Sequence, residues 1–150
     1  MHRHQLTQEG YTKMLEEKAS LIEKRKGIVA EVTRTRELGD LSENSAYRAA
    51  KSALRGIDSR LAFLNKVLLH VSVIEKTISE FIIVGSIIKL QTDEIEQTFQ
   101  LVDGVEADIM EGKLSVHSPL GRALLGRRAE AIIEYHTPKG KRQATILHIG

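Results

Sequence analysis

Residues Glu37-Leu38-Gly39-Asp40-Leu41-Ser42-Glu43-Asn44-Ser45-Ala46-Tyr47 decide the fold of this chain, because they interrupt two long runs of helical periodicity. Gly39 can take the left-handed conformation that ends a helix, so the stretch reads as a tight turn. Upstream, Tyr11, Met14, Leu15, Leu21, Ile22, Ile28, Val29 and Val32 fall on one stripe, in two series of seven-residue steps. Lys18 and Arg25 interrupt that stripe with aliphatic stems on the seam and charges outside it. Gly27 is a local weak point. Downstream, Ala46, Ala50, Ala53, Ile57, Leu61, Leu64, Leu68 and Val71 repeat at steps of four and three, which asks for a supercoiled partner. With only a turn between them the two helices are predicted to be antiparallel neighbours, each about 45 Å long. The Ala-rich seam nearest the turn predicts a narrow tip.

Beyond residue 80 the pattern changes. Phe81–Leu90, Ile95–Val102, Ala129–Tyr135 and Ala144–Ile149 read as strands, with turn signals at Asp103-Gly104 and at Thr137-Pro138-Lys139-Gly140. Ser118-Pro119 reads as an N-cap followed by proline at the first helical position, opening a short helix that closes at Gly126. The expected class is therefore α+β: a helical coiled-coil hairpin over residues 1–75, then a β-β-α-β-β domain over 76–150, joined through about Val71–Glu80.

Composition narrows the function. The chain has no Cys, so it holds no disulfide, thiolate metal site or cysteine nucleophile. Lys+Arg 22 against Asp+Glu 20 leaves only +2, so any electrostatic role depends on where charges sit rather than on their sum. Neither a signal peptide nor a membrane span is expected, because Phe81–Leu90 is broken by Gly85 and Ser86. No glycine-rich phosphate loop follows a strand, and no nucleophile elbow is present. His2 and His4 have ligand spacing but no carboxylate or thiolate beside them, which favours a solvated pair. His70, His117, His136 and His148 form no motif.

The chemistry gathers at the turn. Glu37, Asp40 and Glu43 cluster there without a Lys or Arg among them. Asp40-x-x-Glu43 fits a capping box, the commoner meaning of that spacing. It equally places two carboxylates at the end of a hairpin, where they can offer hard oxygen ligands to Mg²⁺ whose shell another molecule completes. Immediately afterwards the charge inverts: Arg48, Lys51, Arg55, Arg60 and Lys66 stand against Asp58 alone. On a helical wheel Arg48, Lys51 and Arg55 lie away from the apolar seam, either as a solvated face or as a strip that holds a polyanion. Tyr47 can stack on a base or brace the first helix.

These motifs resemble the bacterial Gre transcript-cleavage factors, GreA more than GreB. The resemblance is carried by the tip, by Leu6-Thr7-Gln8-Glu9-Gly10, by Glu106-Ala107-Asp108 with Lys113, by Ser118-Pro119-Leu120-Gly121-Arg122, and by Thr137-Pro138-Lys139-Gly140. It spans nearly the whole chain. It implies a C-terminal domain of FKBP-like topology that docks on bacterial RNA polymerase, and a hairpin passed down the secondary channel. The tip pair Asp40 and Glu43 then helps the polymerase hold a catalytic Mg²⁺ and cut the nascent RNA 3′ end of a backtracked complex. By the same resemblance Arg48, Lys51, Arg55 and Tyr47 face RNA, and Ser118, Pro119, Leu120 and Arg122 contribute to polymerase docking. A monomeric, cytoplasmic accessory factor without activity of its own is expected. Ser42 stands where the family often has Lys, and His117 where Asn is common.

Two other classes fit part of the pattern. A Gre-like inhibitor of the same channel would sequester Mg²⁺ unproductively, which the retained Asp40-x-x-Glu43 spacing argues against. A chaperone or prolyl isomerase would rest on domain topology alone, and a C-terminal half whose aromatics are Phe81, Phe99 and Tyr135 is poorly supplied for that.

Overall fold

The computed structural model describes residues 3–40 and 44–150. In chain order its elements are β1 (His4–Leu6), α1 (Gln8–Arg36), α2 (Ser45–Leu69), β2 (Val71–Val73), β3 (Ile87–Thr92), β4 (Ile95–Val102), β5 (Lys113–Ser115), α3 (Pro119–Leu124), β6 (Ile132–Thr137) and β7 (Gly140–Ile149). Two single-turn 3₁₀ helices, Gly104–Glu106 and Ile109–Glu111, lie between β4 and β5. The chain divides into two compact units, one formed by Tyr11–His70 and the other by Met1–Gly10 with Val71–Gly150.

The first unit is the helical hairpin. Its sense is antiparallel: Glu17 pairs with Arg60, Arg25 with Asp58, and Val32 packs with Tyr47 and Ala50 near the turn. On α1 one of the two seven-residue series faces inward, with Met14 buried and Leu21 and Ile28 half-buried, and Val32, one turn past Ile28, is buried as well. Leu15, Ile22 and Val29 remain 43, 42 and 38% exposed, so the second series lies outside the seam. A single partner helix covers one seam, and an apolar stripe two residues wide exceeds it. On α2 the seam departs from expectation by one position near the turn. Tyr47 is buried and Leu54 half-buried, whereas Ala46 and Ala53 are exposed. The larger side chains remove more apolar area from water than alanine does, so the helix turns to bury them. Farther along, Ile57, Leu64 and Val67 are buried, with Leu61 and Leu68 half-buried.

The second unit carries a five-stranded sheet in the order β5-β4-β3-β7-β6. β3 is central, antiparallel to β4 and to β7, while β5 runs parallel to β4. A bulge between Lys89 and Leu90 shifts the β3–β7 register. The core is the alternating inner face of these strands, Ile88, Leu90, Leu101, Leu114, Ile133, Ala144 and Ile146, closed by Ile82 and by Leu124 of α3. All four expected strands are present: Ile95–Val102 has the expected bounds, and the other three are shifted, β3 starting only at Ile87 because Val84-Gly85 forms a turn with Gly85 at φ +95°. Three short strands were not anticipated. They are β5 and a separate parallel pair, β1 with β2, in register His4↔Val71, Gln5↔Ser72 and Leu6↔Val73.

Candidate functional site

The turn of the hairpin is organised by Thr35 and Asn44. Thr35 is fully buried, and its hydroxyl donates back to the carbonyls of Glu31 at 2.8 Å and Val32 at 3.2 Å. Its own carbonyl, left without an intrahelical partner at the end of α1, accepts from Leu38 N at 3.2 Å and from Asn44 Nδ2 at 2.5 Å. Asn44 Oδ1 in turn accepts from Tyr47 N at 3.0 Å, which makes Asn44 the N-cap of α2. One amide therefore serves the last turn of one helix and the first turn of the next. The cap is not Asp40, which lies four residues earlier, beyond Gly39 at φ +134°, and is exposed. Asp40 is therefore not the N-cap of α2. Glu43 lies outside the described residues, as do Leu41 and Ser42.

Tyr47 packs into the cluster of Val32 and Ala50, with Ile28 and Leu54 against it. Arg36 stands over its ring at 5.9 Å and Lys51 at 5.3 Å from the centroid. A hydrogen bond from Arg36, helped by the Lys51 and Arg36 charges, holds the Tyr47 phenol below the ordinary tyrosine range. Its body braces α1 while its hydroxyl end collects two cations.

The basic side chains then separate into two groups. Arg60 pairs bidentately with Glu17 at 2.6 and 3.0 Å and stands 5.1 Å over the Phe63 ring, so it belongs to the hairpin's own framework. Asp58, the acid within the basic run, is taken up by Arg25 at 2.6 Å. Arg48, Lys51 and Arg55 stay exposed on one face of α2, and Arg48 and Arg55 make no ion pair among the described residues. The framework pairs leave this strip as exposed positive charge on α2 close to the turn, with Arg36 at the end of α1 beside it.

In the sheet unit Ser118, Pro119, Leu120 and Arg122 form the start of α3. Ser118 Oγ accepts from Gly121 N at 3.0 Å and donates to the Ser115 carbonyl at 2.7 Å, and Pro119 occupies the first helical turn. A Cβ on Gly121 would lie 2.0 Å from the Ser115 carbonyl oxygen, so only glycine permits this approach. Leu120 packs on the core, whereas Pro119 and Arg122 are exposed. Ser118 and Gly121 are thus architectural, and Pro119 and Arg122 are what the segment exposes at the surface.

A second polar centre in this unit escaped sequence reasoning. The buried Asp103 carboxylate accepts from Val105 N at 3.1 Å and Gln5 N at 3.4 Å and lies 3.3 Å from His4 Nδ1. Glu106 accepts from Thr7 N at 3.0 Å and from the Thr7 hydroxyl, while Thr7 Oγ1 accepts from Gly10 N at 3.0 Å and so caps α1. A Cβ on Gly10 would clash with the Glu106 carboxylate. Buried Lys113 reaches Glu9 at 3.5 Å and Glu111 at 3.6 Å. The motifs Thr7–Gly10, Glu106–Asp108 and Lys113 are separated in sequence but meet here. A Thr three residues before a Gly at a helix start was the available local signal.

Among the described residues no group of three or more His, Asp or Glu is arranged to hold a metal ion, and no helix is long and apolar enough to cross a membrane.

Comparison with known proteins follows the same division. Residues 4–73 match the family described as "Transcription elongation factor, N-terminal", and residues 77–150 match "Transcription elongation factor, GreA/GreB, C-term". The chain is 35% identical to transcription elongation factor GreA of Neorickettsia sennetsu, covering 99% of this chain and 97% of that one. It is 40% identical to GreA of Thermosipho melanesiensis, covering 96% and 94%. A solved structure of the transcription factor Gfh1 is 27% identical with a TM-score of 0.50, covering 99% of this chain and 97% of that one.

Proposed function

The chain belongs to the GreA/GreB family of transcription elongation factors, and from that premise we propose that it stimulates RNA cleavage by RNA polymerase in backtracked complexes. The observation that carries this reading is the exposure of Asp40 beside a turn whose capping is done by Asn44. An exposed carboxylate in the turn of a hairpin is suited to an external ligand. Its chemistry fits Mg²⁺, a hard cation that takes carboxylate oxygens together with oxygens from elsewhere. Asp40 with Glu43 supplies at most part of an octahedral shell, so the ion is held mainly by the polymerase. Bound Mg²⁺ supplies an activated water and charge stabilisation for phosphodiester cleavage.

The remaining residues have complementary roles. Arg48, Lys51 and Arg55 neutralise phosphates of the extruded RNA 3′ segment, and Tyr47 keeps α2 in register with α1 while holding Lys51 beside that path. Pro119 and Arg122, with Leu120 and Ser118 behind them, form part of the surface that docks on polymerase. The protein acts as an accessory factor: the polymerase performs the cleavage and resumes from a new 3′-OH.

The test is transcript shortening in a purified, backtracked polymerase complex with Mg²⁺. Asp40→Ala and Glu43→Ala are each expected to lower cleavage at least 100-fold while the concentration giving half-maximal polymerase binding moves less than threefold. Unchanged cleavage by both variants rejects the proposal. Slowed nucleotide addition on an active complex, without cleavage, would identify an inhibitor instead.

A further inference from the structure

We infer that Asn44 is a positioning residue for the cleavage reaction, acting through Asp40 by closing the turn that carries it. This inference rests on the function proposed above. Its basis is that the Asn44 side chain does two separable things. As an N-cap it needs only Oδ1, which accepts from Tyr47 N at 3.0 Å. The bond from Nδ2 to the Thr35 carbonyl at 2.5 Å contributes nothing to starting α2, because it reaches across the turn to the other helix.

The residue type matters. Ser, Thr, Asp and Asn all cap helices well, but ionised Asp has no donor, and Ser or Thr has a single oxygen at one place. Asn alone among them carries a donor and an acceptor on separate atoms of one rigid plane. The acceptor of its second bond is equally prepared. Thr35 is fully buried, its hydroxyl is turned back onto Glu31 and Val32, and Leu38 N already occupies part of its carbonyl. The Thr35 carbonyl that Asn44 reaches is therefore held in place by contacts independent of the amide.

Asp40 lies five residues after Thr35 and four before Asn44, so it sits inside the loop that this amide closes. Fixing both ends of a short loop removes conformational freedom during folding. Less remains to be lost when the carboxylate is shared with an ion in the polymerase. The bond is expected to act on the rate of the assembled complex and not on its formation.

The experiment compares Asn44→Asp and Asn44→Ser with the unaltered protein and with Asp40→Asn, in full-length factors on a backtracked polymerase complex. Asn44→Asp keeps the shape and the cap but loses the donor. Asn44→Ser loses the donor without adding charge. Both are expected to lower the saturating cleavage rate about tenfold, to leave the half-saturating factor concentration within twofold, and to raise the Mg²⁺ concentration needed for half-maximal rate. Helix content by circular dichroism is expected to be unchanged in both. If both variants cleave at the unaltered rate while Asp40→Asn is inactive, Asn44 is only a cap and the inference is overturned. A rise in half-saturating concentration with an unchanged saturating rate overturns it as well. If Asp40→Asn itself cleaves normally, the proposed function fails first and takes this inference with it.

Discussion

The two polar centres of the molecule are built in opposite ways. Around Thr7, Asp103 and Glu106 the charges are drawn inward, and each carboxylate is engaged by backbone donors from a distant part of the sequence. At the hairpin turn one neutral amide does the structural work and the carboxylate of Asp40 stays at the surface. Carboxylates drawn inward and supplied with donors stabilise a fold, whereas an exposed carboxylate contributes less to it. The contrast separates residues that hold the protein together from residues that act on something else, within one chain and with the same side-chain types.

Substitutions sharpen that contrast by moving stability in one region and chemistry in the other. The largest loss of stability is expected from Gly121→Ala, whose Cβ would meet the Ser115 carbonyl at 2.0 Å, at about 3 kcal/mol or more in urea unfolding of the sheet unit. Glu106→Ala removes the acceptor of both Thr7 donors and is expected to cost about 2–3 kcal/mol. Native-state hydrogen exchange is expected to place that loss at Thr7 and the first turn of α1. Tyr47→Ala empties the cluster against Val32 and Ala50 at the open end of a two-helix layer, so about 2 kcal/mol is expected, below the value for a fully enclosed aromatic. Asp40→Ala is expected to move the unfolding midpoint less than any of these. A clear loss of stability there would dissolve the distinction between the two centres.

A small effect is also expected of the Glu17–Arg60 pair, about 0.5 kcal/mol for an exposed bidentate contact. The hydrogen bond from Arg60 holds the Glu17 carboxyl below its ordinary value. A carboxylate with a lowered folded pKa contributes its stability above the unfolded value and loses it as pH falls through the folded one. The difference between the unaltered protein and Glu17→Gln should therefore be constant at neutral pH and shrink across the acidic carboxylate range. A difference that grows on acidification would show that the pair is not formed in solution.

How much of this was legible in the sequence depends on the range of the interaction. The hairpin was legible because seven-residue periodicity is repeated along both arms, and because Gly39 allows one place for the turn. The start of α3 was legible because Ser118-Pro119 is a local signal with a local cause. The seam of α2 near the turn was not, since Ala46 and Tyr47, and again Ala53 and Leu54, are adjacent. A helical wheel cannot decide which of two neighbours a partner will cover. The identity of the cap was not legible either: the capping-box spacing pointed to Asp40, whereas Asn44, four residues later, holds the position. Strands β1, β2 and β5 have three residues each, too few to show alternation, and their pairing joins segments remote in sequence. The Asp103–Glu106 centre stayed hidden because its partners, Gln5 and Thr7, are nearly a hundred residues away.

The parallel pairing of His4–Leu6 with Val71–Val73 means that the chain departs from the sheet unit and re-enters it at adjoining strands. Everything between is, in topological terms, an insertion with a single doorway. Such a layout makes the hairpin an exchangeable cassette: a version with a different number of heptads or another apex can be spliced between Gly10 and Val71 without rewiring the sheet. Diversification of factors built on this plan then needs changes in only one stretch of coding sequence.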